Sequence, residues 1–252
     1  MNNKVISLKR EIKDDYNYRE SLKTLRTNIQ FCGSNIRTIM FTSALPDEGK
    51  SDIAFSVAAS FAQIGKKVIF IDADIRKSVL VSRYQLEGEI NGLSQYLSGQ
   101  KNREDIIYET NYEGFSVIFA GPYSPNPAEL LEEDLFHDLI QSLKDYDYVI
   151  IDTPPAYLFS DAAILAGYAD CVLYVVRHDM AEIPQIEKGM ESFIQEDKLL
   201  GYLINRSQKG FTSYGKYGYG KYGYGKYGYG KYGKYQRYVD VKEDDMDTED
   251  SL

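Results

Sequence analysis

Ser43-Ala44-Leu45-Pro46-Asp47-Glu48-Gly49-Lys50-Ser51 is the stretch on which the reading of this chain turns. The apolar run before it, Ile36 to Thr42, reads as a short buried strand, and Ile53 to Ala62 after it reads as a helix. A strand, a tight loop ending Gly-Lys-Ser and a helix make a cradle for phosphate. Backbone N–H groups point inward and the helix N-terminus adds partial positive charge. In such a cradle Lys50 reaches the β- and γ-phosphates of ATP, the Ser51 hydroxyl ligates Mg²⁺, and Gly49 lets the backbone come close. Pro46, Asp47, Glu48 and Asp52 complete the segment expected to wrap the nucleotide. The motif is incomplete, since Ala44 stands where the usual pattern has glycine, and a bare Gly-Lys-Ser also fits an ordinary strand-to-helix turn.

Two other strand ends carry acids. Lys67 to Ile71 is apolar and ends in Asp72-Ala73-Asp74-Ile75-Arg76. In an open α/β sheet, ligands bind beyond the carboxyl ends of the strands. There Asp72 and Asp74 are suited to hold Mg²⁺, directly or through water, or to accept a proton, and Arg76 to neutralise phosphate charge. A polar turn with two solvated acids is the plainer alternative. Tyr148 to Asp152, followed by Thr153-Pro154, fits a Walker B strand whose aspartate faces Ser51 and binds Mg²⁺ through water. Leu199 to Ile204 reads as a last strand, and Asn205 at its end is placed to hydrogen-bond a purine edge.

The remaining segments alternate. Residues 1–15 are polar and are expected to be poorly ordered until packed. Tyr16 to Phe31 has the helical spacing of Leu22, Leu25 and Ile29. Glu20, Lys23 and Arg26 line one side of that helix, as a solvated face or as an intersubunit ionic contact. Residues 79–114 hold two short helical patches, Val79–Tyr84 and Gly92–Leu97, with loops between them. Phe115–Phe119 and Cys171–Val176 read as strands; Leu135–Lys144, Asp161–Leu165 and Ile183–Phe193 read as helices. The alternation predicts a P-loop NTPase-like, doubly wound parallel sheet flanked by helices.

Composition narrows the function. The 252 residues suit one α/β domain with tails, and the net charge of −9 argues against nucleic acid as a partner. Cys32 and Cys171 are too few for a disulfide framework and read as reduced and mostly structural. No apolar run reaches the about 20 residues that span a bilayer, and no signal-peptide segment follows the first methionine. A cytoplasmic location is expected, with any membrane association peripheral or through a partner.

After Lys209 the chain changes character. A five-residue repeat of Gly, Tyr and Lys runs to Tyr235, with tyrosines at Tyr214, Tyr217, Tyr219, Tyr222, Tyr224, Tyr227, Tyr229, Tyr232, Tyr235 and Tyr238. Glycine at this density cannot hold a helix or strand without outside support, so residues 207–252 read as a disordered tail beyond a 1–206 P-loop domain. Its lysines should draw it to an acidic cleft, where flexible glycines let any one phenol enter. A sticky low-complexity tail is the alternative.

Together these residues resemble the bacterial tyrosine autokinases of capsule and exopolysaccharide operons, of the Gram-positive cytoplasmic type. Thr42–Ser51 is similar to that family's Walker A, Ile69–Arg76 to its Walker A′ and Val149–Pro154 to its Walker B. Ser124-Pro125-Asn126-Pro127 leading into Glu129-Leu130-Leu131 is also similar. Glu20 and Arg26 match the family's Glu-x-x-Arg-x-x-Arg oligomerisation motif, with Lys23 replacing one arginine. The resemblance implies that Lys50 and Ser51 bind phosphate and Mg²⁺. It assigns Asp72, Asp74 and Asp152 to metal and proton transfer, with Asp72 as base, and makes the tail tyrosines the autophosphorylation cluster. It further implies a ring-forming kinase acting on neighbouring tails. Its partners would be a membrane-anchored activator of the polysaccharide co-polymerase type, which brings it to the inner face of the membrane, and a cognate tyrosine phosphatase. Asp47 departs from the family's glycine and is expected to weaken ATP binding, and Asp52-Ile53 replaces small hydroxyl residues. A partitioning-type ATPase is disfavoured because Leu45 stands where such proteins carry a signature lysine; a weakly active nucleotide-binding scaffold is the other alternative.

Overall fold

The computed structural model describes residues 4–8, 16–86 and 88–206. The chain opens with β1 (Lys4–Ile6), α1 (Tyr16–Phe31), β2 (Thr38–Ser43), α2 (Lys50–Ala62) and β3 (Val68–Asp72). Three short helices follow, α3 (Leu80–Arg83), α4 (Leu93–Leu97) and α5 (Arg103–Ile106), then β4 (Ile107–Thr110) and β5 (Phe115–Ile118). Next come α6 (Pro127–Glu132), α7 (Asp134–Ser142), β6 (Tyr148–Asp152) and α8 (Asp161–Ala166). The last elements are β7 (Cys171–Arg177), α9 (Ile183–Gln195) and β8 (Leu199–Asn205).

The strands form one sheet in the order β1-β4-β5-β3-β6-β2-β7-β8. Its central strands are buried on both faces, so they read as unbroken apolar runs, and the period of two sends alternate residues to opposite cores. Ile39, Phe41, Val68 and Phe70 face one core, beneath α1 and α2. Met40, Ile69, Ile71 and Ile151 face the other, under α4 and α6–α9. Phe55 of α2 anchors the first core, stacked on Tyr84 at 4.4 Å and edge-on to Phe70 and Phe115 at 5.2 and 5.1 Å. Truncating such a ring to alanine removes about 3–5 kcal/mol. The crossover β2–α2–β3 leaves room for β6 between its two strands. Asp152 therefore pairs in register with Phe41 on one side and Asp72 on the other. This register brings the phosphate loop and both acidic strand ends to one rim.

The sheet departs from the expected pattern in two places. It is not wholly parallel, because β4 runs antiparallel to β5. Residues 98–114 are not simply loop either, since α5 and β4 lie there; four residues that include Glu109 carry too little apolar periodicity to be read as a strand. Of residues 1–15, expected to be poorly ordered until packed, Lys4–Ile6 are packed as a strand that the sequence did not signal. They pair in parallel with Tyr108–Thr110, and Leu8 is buried beyond them. The tail, with its ten tyrosines, lies outside the described residues. Among the described residues no helix is long and apolar enough to cross a membrane.

The two cysteines differ. Cys171 is buried in β7, and burial, with a smaller contribution from Asp170, pushes its thiol up to about 12. Cys32 is exposed at the end of α1 rather than structural. Because the thiolate is the reactive form, iodoacetamide at pH 8 should label Cys32 and spare Cys171 in the folded protein. Both should be labelled in urea, as read by peptide mass spectrometry.

Candidate active site

The loop between β2 and α2 is fixed from beneath and from one side. Glu48 is fully buried, and its carboxylate accepts the Leu45 N–H at 2.7 Å and the Arg177 N–H at 3.2 Å. The Arg177 guanidinium donates to the Asp47 carbonyl at 3.2 Å, and the Asn205 amide to the Glu48 carbonyl at 2.7 Å. Asp47 sits in the left-handed region at φ 62°, which aspartate tolerates better than most residues and which accounts for its standing in a glycine position. Gly49 has φ 90°, and a Cβ there would lie 2.2 Å from Asn205 Nδ2, so no side chain fits. The Ile53 N–H is bonded back to the Gly49 carbonyl at 3.0 Å. The N–H groups of Lys50, Ser51 and Asp52 precede that first helical bond and are the helix's open donors.

Lys50 points into a cluster of acids. Its ammonium lies 3.6 Å from Asp74 Oδ2 and 3.6 Å from Asp152 Oδ1, and 3.2 Å from the Ser51 hydroxyl. Asp72 and Asp152 are each only 1% exposed. Burial pulls the Lys50 ammonium downward, but the charges of Asp152, Asp74 and Asp72 outweigh it and the net shift is upward. Burial, then the charge of Asp152, pushes Asp72 up to about 8, against a hydrogen bond from the Ser78 hydroxyl. Burial also raises Asp152, with Lys50 and Ser51 opposing it. Asp152 Oδ1 is buried with no hydrogen-bond partner. An open carboxylate oxygen beside a serine hydroxyl is a hard-oxygen donor set that fits Mg²⁺. Among the described residues no three acids, histidines or cysteines are placed to hold a metal alone. The ion would therefore take its remaining ligands from phosphate and water, as Mg²⁺ commonly does.

Other expected site residues are placed differently. Pro46 and Asp47 are exposed on the loop. The Asp52 carboxylate turns away to Arg83 at 2.6 Å. Arg76 is committed to Asp161, donating to its two carboxylate oxygens at 2.7 and 2.8 Å, and its guanidinium lies 4.5 Å over the Phe159 ring. Glu20 and Lys23 pair with each other at 2.6 Å on the exposed side of α1. Arg26 turns inward, donating to the Ser60 carbonyl at 2.7 Å and hydroxyl at 2.9 Å. Sequence reading missed Arg177, Asp161 and Ser78. Asp161 lies 85 positions from the arginine it holds, and no spacing rule connects them.

A strand, a loop with its lysine among strand-end carboxylates, and a helix beginning at that lysine define a P-loop nucleotide-binding protein. The family described as AAA domain matches residues 36–200. The chain is 40% identical over 201 residues to tyrosine-protein kinase CpsD of Streptococcus agalactiae, covering 79% of this chain and 88% of that one. Among solved structures, the chimerical protein CapA2B2 superposes with a TM-score of 0.73 at 31% identity, covering 81% of this chain and 94% of that one. The kinase domain of the Escherichia coli tyrosine kinase ETK gives 0.68 at 31% identity, covering 81% and 80%. The chain belongs to the bacterial tyrosine-protein kinases.

Two substitutions probe this geometry. Arg76→Met leaves the fully buried Asp161 without its cation and should lower stability by about 2–3 kcal/mol in urea denaturation, below the range for wholly buried pairs because Arg76 is partly exposed. Asp47→Gly removes a carboxylate beside the phosphate site and relieves a left-handed side chain. ATP-analogue binding by calorimetry should tighten several-fold.

Proposed function

We propose that this chain is an ATP-dependent protein-tyrosine autokinase that phosphorylates the tyrosines of its C-terminal tail in trans, and so regulates capsular or exopolysaccharide synthesis and export. The observation that carries the reading is the enclosed Lys50, 3.6 Å from both Asp74 and Asp152, in a chain that also bears ten clustered tail tyrosines. Lys50 and the open N–H groups of α2 would bind the β- and γ-phosphates and hold the terminal one in line with an incoming phenol. On nucleotide binding, Lys50 exchanges part of its carboxylate environment for phosphate. Ser51 and Asp152, with Asp72, would hold Mg²⁺, which when bound neutralises charge on the transferred group. Asp72, buried and oriented by Ser78, is pushed up to about 8, so it would accept the phenol proton only in the deprotonated form that a nearby cation favours, and Asn205 would meet the purine edge. Catalysis of this kind is largely positioning and electrostatic stabilisation.

The exposed Glu20–Lys23 pair supports a role for α1 in a ring-shaped homo-oligomer, with Arg26 acting from within its own subunit. The family supports an activator of the polysaccharide co-polymerase type, which would carry the kinase to the inner face of the membrane, and a cognate phosphatase. The test is mass spectrometry of the tail after incubation with Mg-ATP, with and without the activator's cytoplasmic segment. Phosphate should accumulate on residues 214–238. Lys50→Met should reduce it by at least about a hundredfold. A tail that stays unlabelled with activator present refutes the reading.

A further inference from the structure

The turn after β3 carries Asp72 and Asp74, and side-chain bonds close it. The Asp74 N–H donates to Asp72 Oδ1 at 3.2 Å, and the Lys77 N–H to Asp74 Oδ1 at 3.0 Å. The Ser78 hydroxyl donates to Asp72 Oδ2 and accepts the Leu80 N–H at 3.3 Å. Ser78 therefore joins the Asp72 carboxylate to the first residue of α3. Whatever holds α3 decides where Ser78 stands. A helix of four residues is a single turn and does not hold itself in water. Its place comes from the surface it is packed on.

That surface includes α2, the helix that begins at Lys50. Leu80 is buried in the core, and the Tyr84 ring is stacked on Phe55 of α2 with centroids 4.4 Å apart. Contacts of this kind hold the segment down but leave it room to slide and turn, because apolar burial is non-directional. Arg83 adds direction. Its guanidinium donates to the Asp52 carboxylate at 2.6 Å, a charge-assisted bond with defined geometry. Asp52 follows Ser51 in the first turn of α2. The ion pair thus ties the turn that presents Lys50 and Ser51 to the segment that orients Asp72. With side chains 24% and 39% exposed, the pair adds little to global stability. Its value is geometric, since it spans two halves of one site.

We propose that Asp52 and Arg83 are positioning residues: their ion pair fixes α3 on the P-loop helix, and through Ser78 it holds the Asp72 carboxylate in its working orientation. Neither residue touches the reacting atoms. Without the pair, α3 keeps its apolar contacts but shifts on them, and Ser78 holds Asp72 in place for a smaller share of the time. The proposal deepens the kinase reading and rests on it for the role of Asp72.

The test uses full-length protein in two arms. The first is hydrogen–deuterium exchange of residues 73–86, which needs no catalysis. Arg83→Met should speed exchange there several-fold and leave β7 unchanged. The thermal midpoint should fall by no more than about 4 °C. The second arm measures phosphate transfer to the tail of a full-length Lys50→Met copy, with kcat and the KM for ATP separated. Arg83→Met and Asp52→Ser should each lower kcat about fivefold, and the double variant should lose no more than either single one. Arg83→Lys should restore most of the rate, and the KM for ATP should stay within about twofold in Arg83→Met. Lys188→Met, which breaks the exposed Lys188–Glu191 pair on α9, should alter neither arm. Unaltered exchange of residues 73–86 in Arg83→Met overturns the proposal whatever the second arm shows. So does a kcat that Arg83→Met leaves intact, or losses that add in the double variant. Faster exchange in Arg83→Met together with a wild type that transfers no phosphate keeps the brace and removes the kinase reading.

Discussion

Lys50 is a cation held almost out of water by carboxylates from two strands, and much of the rest of the fold is arranged to make that possible. An ammonium and three acids brought together without solvent would be costly if any one were misplaced. The register that pairs Asp72 with Asp152 places two of the acids side by side, and the helix that begins at Lys50 supplies donors nearby. Asp74 comes from the turn two residues after Asp72, whose carboxylate accepts the Asp74 N–H at 3.2 Å. With one lysine facing three acids, burial and mutual repulsion push Asp72 up to about 8, so at neutral pH it holds its proton and relieves part of the excess negative charge. A site of this kind is set for the arrival of further cationic charge together with an anion, which is the chemical description of a metal–nucleotide complex.

The cores on either side serve that arrangement. The apolar alternation of β2, β3 and β6 fixes which residues turn to which face, and a slip of one residue would move Phe41 and Phe70 from one core to the other. Side-chain bonds lock the loops beyond those strands. Thr42 donates to the Pro154 carbonyl at 3.0 Å, and Thr153 to the Phe41 carbonyl at 3.0 Å. The two strand ends that carry the loop and Asp152 are thus joined reciprocally, so the distance between Ser51 and Asp152 is set by backbone rather than by long flexible side chains.

How much of this was legible depended on whether the signal was local. The central strands and α2 were readable because long apolar runs and a Gly-Lys-Ser turn are local patterns, and the convergence of Lys50, Asp74 and Asp152 followed from the rule that strand ends of an α/β sheet share a rim. β1 and β4 escaped notice because each is three or four residues long and gains its stability from pairing with a distant strand. Arg76 was legible as a cation near phosphate, but its commitment to Asp161 was not, since that bond joins residues far apart in sequence. Asp52 and Arg26 likewise turn to neighbours, Arg83 and Ser60, that only the packing of α3 and α1 on α2 brings near.

Glu48 has a consequence beyond holding the loop. Its buried carboxylate ties Leu45 to Arg177 without help from any nucleotide, and Asn205 clamps the same residue's carbonyl from the edge strand. The cradle is preorganised: little backbone entropy remains to be lost when phosphate arrives, so the affinity of this pocket is governed by charge and solvation rather than by folding on contact. Exchange of spent for fresh nucleotide then requires only that the ligand depart, not that the walls dissolve and rebuild.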